Sequence, residues 1–163
     1  MIKALRIDER LIHGQIAMVW SRELDIDGIV VANNETAENK TQQMALKMAA
    51  PSKLKVIVKT ITGAANLLND PRAANMKLLV LVRTVADAVE LAKQIPHIDY
   101  VNVGNVGKSV EERRTTLTQF VMLTDSELSA LKELSQLYPD TALQNLPSDK
   151  KELASGFVEK LNL

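Results

Sequence analysis

The sequence predicts an α/β protein with three layers, in which a mostly parallel sheet of about six to seven strands carries helices on both faces. Two observations predict this fold. Short runs rich in β-branched residues alternate with longer segments of helical period along the chain. In addition, Lys77–Val82 is apolar at every position after the first, which is typical of a central parallel strand buried on both faces.

The first half of the chain contains three predicted strands, each followed by a helix. We predict strands at Ile2–Ile7, Gly28–Ala32 and Lys55–Val58, and helices over 12–24, at Thr41–Ala49 and from Thr60 or Thr62 onward. The first helix is predicted because apolar residues recur at spacings of three and four between Ile12 and Leu24. Prolines at positions 51 and 71 end the other two helices.

The second half of the chain repeats this alternation. We predict strands at Lys77–Val82, Asp99–Val103 and Gln119–Leu123, a candidate edge strand at 141–146, and helices at Thr84–Gln94, from Asp125 and at Asp149–Leu161. The helix from Asp125 is predicted because Thr124 and Glu127 have the spacing of a capping box. Because no internal repeat or linker interrupts the chain, we expect residues 1–163 to form a single domain.

Composition excludes several classes of function. Twenty basic and 20 acidic residues cancel, and no long run of like charge occurs, so we expect no nucleic-acid partner. The absence of cysteine excludes disulfides and thiol catalysis, and with only two histidines it argues against a metal site. We also expect no cofactor. Charges interrupt the N-terminal segment and no apolar run approaches the length of a membrane span, so we expect a cytoplasmic protein.

The stretch RIDERLIHGQ, Arg6–Gln15, follows the first predicted strand directly. In a parallel α/β sheet, ligands bind outside the carboxyl ends of the strands, so this stretch lies on the edge where function is expected. His13 stands at the start of the first helix, where unpaired N–H groups and partial positive charge suit a phosphate. Arg6 and Arg10 have planar guanidinium groups that match a phosphate and could converge on it.

Two neighbouring residues extend this hypothesis. Gly14 has no Cβ to keep the backbone from approaching an anion, and Asp8 could hold either an imidazole nitrogen or a guanidinium. The stretch thus contains the parts of a phosphohistidine intermediate: a nucleophile, a charge clamp and an amide cradle. The same residues also fit a solvated turn with surface ion pairs. A receiver domain does not fit, because the strand Lys55–Val58 ends without a phosphoacceptor aspartate.

Longer motifs give the chain a family resemblance. The segment RIDERLIHGQIAMVW resembles the active-site segment of the enzyme IIB component of the mannose–fructose–sorbose type of phosphotransferase system. Matching segments follow in order over nearly the whole chain: IVVANNETAENKTQQMALKMAAP, KLLVLVRTVADAVEL and VNVGNVGK. The resemblance implies a mostly parallel sheet flanked by helices, usually in a homodimer.

The resemblance also implies an activity. His13 would accept a phosphoryl group at Nδ1 from a phosphohistidine of the IIA component and pass it to a sugar carried by the membrane components IIC and IID. Arg6 and Arg10 carry over as phosphate contacts, and Gly14 and Gln15 as backbone donors. The protein would then be cytoplasmic and associated with the membrane peripherally, through IIC and IID.

Two positions bear on the sugar. Mannose-type members often have Asp-Asp-Arg where this chain has Asp8-Glu9-Arg10, and Gly-Gly where it has Gly104-Asn105. These differences favour a member of the family that handles N-acetylgalactosamine or a related amino sugar. A mannose-, fructose- or sorbose-specific component is the alternative. A non-catalytic α/β domain that senses phosphate through the same cradle is the competing class of function.

Four further features are interpreted from their positions. Arg83 ends the fourth predicted strand at the functional edge, as a third phosphate contact or a docking residue for a partner. The loop Asn102–Lys108 leaves the fifth strand at this edge and forms either a flexible wall beside the histidine or a simple turn. His97 lies at the opposite edge and is interpreted as an ordinary loop residue. Trp20 fits the apolar stripe of its helix, so we expect it in the core or a dimer interface.

Overall fold

The computed structural model describes all 163 residues of the chain. Its strands are β1 (Ile2–Asp8), β2 (Gly28–Ala32), β3 (Lys55–Lys59), β4 (Leu78–Val82), β5 (Val101–Asn105), β6 (Thr115–Thr116), β7 (Met122–Leu123), β8 (Ala142–Leu143) and β9 (Glu152–Leu153). Its helices are α1 (Gly14–Leu24), α2 (Asn34–Ala37), α3 (Lys40–Ala49), α4 (Ile61–Asn69), α5 (Val85–Ala92), α6 (Asp125–Leu137) and α7 (Ala154–Lys160), with a 3₁₀ turn at Pro71–Asn75. None of these helices is both long enough and apolar enough to cross a membrane.

Seven strands form one sheet in the order β3-β2-β4-β1-β5-β8-β9. Every neighbouring pair is parallel except β8 and β9, which are antiparallel. This confirms the predicted sheet of mostly parallel strands. The chain runs from β1 toward β2 and β3 on one side, and later crosses to β5 on the other side. The carboxyl end of β1 therefore lies where the strand order switches, which is the usual binding crevice of an α/β sheet.

Helices cover both faces of the sheet, which confirms the three-layer prediction. Leu5 and Ile7 of β1 belong to the larger apolar core, together with buried residues of α4, α5 and α6. Ala4 belongs to a second apolar core on the opposite face, where Trp20 of α1 is buried. Alternate residues of a strand point to opposite faces, so Arg6 and Asp8 of β1 share the α1 face with Ala4.

The predicted sixth strand, Gln119–Leu123, was wrong in extent and partner. Only Met122–Leu123 forms a strand, and it pairs with Thr115–Thr116 in a separate two-stranded sheet. The Thr118 hydroxyl accepts the N–H groups of Phe120 and Val121, at 3.1 and 3.2 Å. A side chain that binds the local backbone in this way makes a turn and withdraws those groups from a ladder.

The C-terminal region also differs from the prediction. The predicted helix at Asp149–Leu161 begins only at Ala154, because Glu152–Leu153 forms a strand against Ala142–Leu143. Upstream, the Asp149 carboxylate accepts the N–H of Leu146 at 2.9 Å and closes a turn. Since β9 covers its outer side, β8 is not the edge strand that the sequence suggested.

The predicted start of α6 at Asp125 is confirmed, but only half of the capping box forms. The hydroxyl of Thr124 accepts the N–H of Glu127 at 3.3 Å. The Glu127 carboxylate turns away from its own helix and accepts the N–H groups of Val85 and Ala86, at 2.8 and 2.9 Å. It therefore caps the N-terminus of α5 and ties α6 to it.

Candidate active site

The loop between β1 and α1, residues 9–13, lies beyond the carboxyl end of the central strand. Leu11 and Ile12 are buried in the second apolar core and anchor the loop to the face of α1. Leu11 does so in the left-handed backbone region, with φ 59°, which is costly for a branched side chain. With these two side chains directed inward, His13 is left exposed at the start of the helix.

His13 is the N-cap residue of α1, in extended conformation, and its side chain makes no capping hydrogen bond. No hydrogen bond or ion pair of the fold engages its imidazole. The first N–H groups of an α-helix have no acceptor within the helix, so they remain available to an anion at this end. The imidazole and these N–H groups are thus accessible at the same helix terminus.

Gly14 begins α1 with φ 45°, a left-handed conformation that favours glycine. A Cβ at this position would have no atom within 4 Å, so an alanine would be strained by its backbone and not by a clash. Gln15 follows in the first turn with an exposed side chain. Both residues are therefore placed as predicted, with backbone N–H groups at the open end of the helix.

Asp8 is 1% exposed and lies between two arginines. Its Oδ2 is 3.3 Å from Arg6 Nη2, and its Oδ1 is 3.3 Å from Arg10 Nε. The same Oδ1 accepts the backbone N–H of Arg10 at 3.0 Å. Of the two roles considered from the sequence, Asp8 takes the second: it holds guanidinium groups and makes no contact with the imidazole.

Arg10 is the arginine that retains capacity for a ligand. Asp8 fixes its Nε, and the side chain is 34% exposed, so the guanidinium is oriented but reachable. Its Nη2 is buried and has no hydrogen-bond partner. An unpaired buried N–H of a charged group is costly, and a bound anion would satisfy it.

Arg6, in contrast, is committed to the interior. It is 2% exposed, and its Nη1 donates to Asn102 Oδ1 at 2.5 Å and to the Gln144 carbonyl at 3.2 Å. Its guanidinium lies 5.3 Å from the centre of the Trp20 ring. Burial lowers the pKa of Arg6, while Asp8 acts in the opposite direction. This placement does not support the direct phosphate contact expected of Arg6, because its terminal nitrogens already bind protein groups.

Gly104 and Asn105 lie at the end of β5, beside Arg6 and Asp8. A Cβ on Gly104 would overlap the guanidinium of Arg6, so the glycine makes room for that group. Asn105 is buried, its carbonyl accepts the N–H of Glu9 at 2.8 Å, and its Oδ1 has no partner. These two positions therefore shape the surroundings of the buried arginine and of the loop that follows β1.

Arg83 follows β4 at the same edge, as predicted. Its Nε donates to the carbonyl of Glu9 at 3.0 Å, so it fixes the loop after β1. His97 lies at the opposite edge, exposed, and pairs only with Asp99 at 3.4 Å, as an ordinary loop residue would. Trp20 is buried in the core and donates its indole N–H to the Asn145 carbonyl at 2.9 Å.

Sequence reasoning missed two residues that bind Arg6 directly but lie far from it along the chain. Asn102 is fully buried in β5, and Gln144 lies just after β8, far from Arg6 in sequence. The two residues are themselves linked, since the side-chain Nδ2 of Asn102 donates to the backbone carbonyl of Gln144 at 2.9 Å. One signal was available: an asparagine inside the apolar strand VNVGN requires a buried partner.

Comparison with known proteins identifies the family. Residues 2–162 match the family model of the phosphotransferase-system sorbose subfamily IIB component. A probable phosphotransferase enzyme IIB component of Streptococcus pyogenes serotype M6 is 42% identical over 162 residues, which cover 97% of this chain and 99% of that protein.

Two solved structures are similar over nearly the full length. The IIB domain of the sorbose permease from Klebsiella pneumoniae has a TM-score of 0.89 at 26% identity, covering 99% of this chain and 96% of that one. The N-acetylgalactosamine-specific IIB component 1 from Escherichia coli has a TM-score of 0.84 at 26% identity, covering 93% of this chain and 98% of that one. The chain therefore belongs to the sorbose subfamily of phosphotransferase-system IIB components, which are components of phosphotransferase enzymes.

Proposed function

We propose that His13 is the phosphocarrier residue of this IIB component. The observation that carries the proposal is an exposed imidazole, free of any bond within the fold, at the open N-terminus of α1. The neighbouring Arg10 supports it, because its oriented guanidinium has a buried Nη2 without a partner. A nucleophile, a preset cation and free backbone donors are the groups that a transferred phosphoryl group needs.

The proposed reaction has two steps. A nitrogen of His13, Nδ1 by family resemblance, attacks the phosphorus of a phosphohistidine on IIA. One N–P bond forms while the other breaks, and a proton passes to the released imidazole in exchange. In the second step a sugar hydroxyl oxygen attacks the phosphorus. An O–P bond forms while the N–P bond to His13 breaks, and the proton of the hydroxyl moves to the released His13 imidazole. Exchange between two histidines requires alignment and neutralisation of charge more than activation of a bond.

The two arginines have different roles in this proposal. Arg10 contacts the phosphoryl group, together with the backbone N–H groups of Gly14 and Gln15. Arg6 acts indirectly, because it holds the carboxylate of Asp8, which in turn holds Arg10. This chain of contacts favours Arg6 as a positioning residue. Arg83 likewise supports the loop through the Glu9 carbonyl.

Transfer of the label tests the proposal. The protein is incubated with IIA that carries ³²P on its histidine, and the labelled protein is treated with acid and with base. A phosphohistidine loses label in acid and keeps it in base, whereas an acyl phosphate shows the opposite. His13→Ala should take no label, and His97→Ala, which changes the one other histidine, should take label as the wild type does. A domain that only senses phosphate would take no label in any form.

The proposed partners follow from the family. IIA supplies the phosphoryl group, and the membrane components IIC and IID present the sugar, so the protein would work in the cytoplasm at the membrane surface. We also propose a homodimer. Exposed apolar side chains support it, since Met44 and Met48 of α3 are 65% and 81% exposed, and Met18 and Val19 of α1 are 40% and 41% exposed.

The proposed sugar is N-acetylgalactosamine or a related amino sugar. Glu9 and Asn105, which favoured this subclass in the sequence, are neighbours joined by a backbone hydrogen bond. A sorbose-, mannose- or fructose-specific function is the alternative, and the similarity to a sorbose permease domain supports it. Membranes that contain the cognate IIC and IID would decide, through the rate of phosphorylation of N-acetylgalactosamine against sorbose and mannose.

A further inference from the structure

The carboxylate of Glu9 binds a loop that follows β5. This loop, Val106–Ser109, is called the 106–109 loop below. Glu9 Oε2 accepts the N–H of Gly107 at 3.2 Å, the N–H of Ser109 at 3.4 Å and the hydroxyl of Ser109 at 2.8 Å. Three donors from one loop thus converge on a single oxygen.

The backbone of Glu9 is fixed at the same place. Its N–H donates to the Asn105 carbonyl at 2.8 Å, and its carbonyl accepts Arg83 Nε at 3.0 Å. Glu9 therefore joins the carboxyl ends of three neighbouring strands, β4, β1 and β5, to the loop beyond β5. It does so four positions before His13, in the loop that carries the histidine.

The 106–109 loop is held from its other side as well. Gly107 has φ 92°, and a Cβ there would overlap the Met122 carbonyl, so only glycine fits. Arg114 Nη1 donates to the carbonyls of Gly107 and Lys108. The N–H groups of Gly107 and Ser109 thus bind Glu9, while the carbonyls of Gly107 and Lys108 bind Arg114.

The length of the side chain matters for this contact. All three donors reach Oε2, so the carboxylate must extend from the end of β1 to the loop. An aspartate is shorter by one methylene, about 1.5 Å, and from the same backbone position it would lose the convergence of these bonds. A glutamine keeps the length and one oxygen acceptor, and so preserves the contact without the charge.

We infer that Glu9 is a positioning residue for phosphoryl transfer. Its carboxylate holds the 106–109 loop against the loop that carries His13. We expect this contact to fix the position of the imidazole relative to the incoming phosphoryl group. The inference rests on the proposed function, because it assigns a task to Glu9 within that reaction. It also joins Glu9, Asn105 and the 106–109 loop into one structural unit.

Four variants test this role by the rate of transfer from phosphorylated IIA, measured by rapid quench at several concentrations. Glu9→Ala should lower kcat by about 10- to 100-fold with KM nearly unchanged, because misplaced reacting groups slow the chemical step. Glu9→Gln should recover most of the rate, and Glu9→Asp should stay close to the alanine variant. Glu111→Ala, in an exposed position of the next segment, is the matched control and should transfer at the wild-type rate.

Three results would overturn the inference: wild-type kcat in Glu9→Ala, wild-type kcat in Glu9→Asp, or equal losses in Glu9→Gln and Glu9→Ala. The last result would mean that the charge matters and the position does not.

A second measurement needs no activity. Amide hydrogen exchange at Gly107 and Ser109 should be faster in Glu9→Ala than in the wild type, and unchanged in Glu111→Ala. Unchanged exchange in Glu9→Ala would overturn the contact itself. Failure of the proposed function looks different: the wild type would then take no label on His13, whatever the exchange of these amides.

Discussion

The guanidinium of Arg6 lies so close to the α-carbon of Gly104 that a methyl group at position 104 would occupy the same space. Arg6 belongs to β1 and Gly104 to the adjacent strand β5, so the charged group of one strand occupies the space beside the glycine of the next. The arginine reaches its partners Asp8 and Asn102 only because glycine leaves this room. The glycine thus acts on the site indirectly, through the arginine and Asp8.

Gly104→Ala should destabilise the protein by about 1–3 kcal/mol, since the added methyl group forces Arg6 away from its buried partners. The measurement is chemical denaturation. Gly156→Ala is the matched control, because a Cβ there has no atom within 4 Å and the position is within α7. Alanine is the better helix former, so this control should gain about 0.5–1 kcal/mol. Equal stability of the two variants would contradict the account of Gly104.

Asp8→Asn should destabilise the fold and slow transfer. It removes the negative charge that faces Arg6 and Arg10, and loss of one partner from a buried ion pair costs about 3–5 kcal/mol. Denaturant unfolding measures the stability, and ³²P transfer measures the rate. Asp70→Asn at the exposed pair with Arg72 serves as the comparison and should change stability little. Wild-type stability of Asp8→Asn would refute the structural role of Asp8.

Arg10→Ala should slow transfer to His13 by about 100- to 1000-fold, because removal of a preset charge partner of the reacting group typically costs this much. The affinity for unphosphorylated IIA, measured by titration calorimetry, should change far less. Arg113→Ala removes an exposed arginine elsewhere and should leave both quantities unchanged. If Arg10→Ala transferred at the wild-type rate, Arg10 would not be the clamp on the phosphoryl group.

Because of Glu127, the free energy of unfolding should fall as the pH rises above 4.5, the ordinary pKa of a glutamate carboxyl. Burial raises the pKa of this carboxyl, against the opposing effect of its bonds to Val85 and Ala86. The folded state therefore binds the proton more tightly than the unfolded state, and this advantage is lost as the pH rises through the folded pKa. Asp87, which also has a pKa raised by burial, contributes a fall of the same sign.

Urea unfolding of the wild type and Glu127→Gln between pH 4 and 7 checks this dependence. The stability difference in favour of the wild type should be largest at the acid end of this range. It should shrink toward neutrality, since glutamine does not titrate. A difference that grew with rising pH would mean that the hydrogen bonds from α5 dominate over burial.

The exposed apolar side chains of α3 should control self-association. Met44→Lys with Met48→Lys places two charges on the most exposed apolar side chains, so sedimentation should show a shift from dimer to monomer. Leu137→Lys changes an exposed leucine at the end of α6, a helix that packs in the opposite core, and should leave the dimer intact. A monomeric wild type would rule out the proposed homodimer.

Much of the fold was predictable because the pattern of apolar residues within each segment indicates which of its faces are buried. The run LLVLV marks β4 as a strand with both faces covered, and threonines at positions 60, 84 and 124 begin helices that the structure contains. The C-terminal third was less predictable. There, β7 and β9 are strands of only two residues each, which is too short for a periodic pattern to show in the sequence.

The site was predictable to the extent that it is contiguous. Arg10, His13 and Gly14 lie within five consecutive positions, and the placement of His13 and Gly14 at the start of α1 agrees with the prediction. The burial of Arg6 could also have been predicted from the alternation of side chains along β1, because Arg6 lies on the face of the sheet that α1 covers. The task of Glu9 could not be found in this way, since its partner Ser109 is 100 residues further along the chain.

The freedom of the His13 side chain has a consequence for the energetics of a relay. Because its imidazole contributes no bond to the folded structure, attachment or removal of a group there breaks nothing that holds the protein together. Loaded and empty forms can then share one architecture, and neither is favoured by internal rearrangement. Such a carrier would exchange a phosphoryl group with another histidine about as readily backward as forward, so the net direction would be set by the later transfer to a sugar hydroxyl, which converts a phosphohistidine into a more stable phosphate ester.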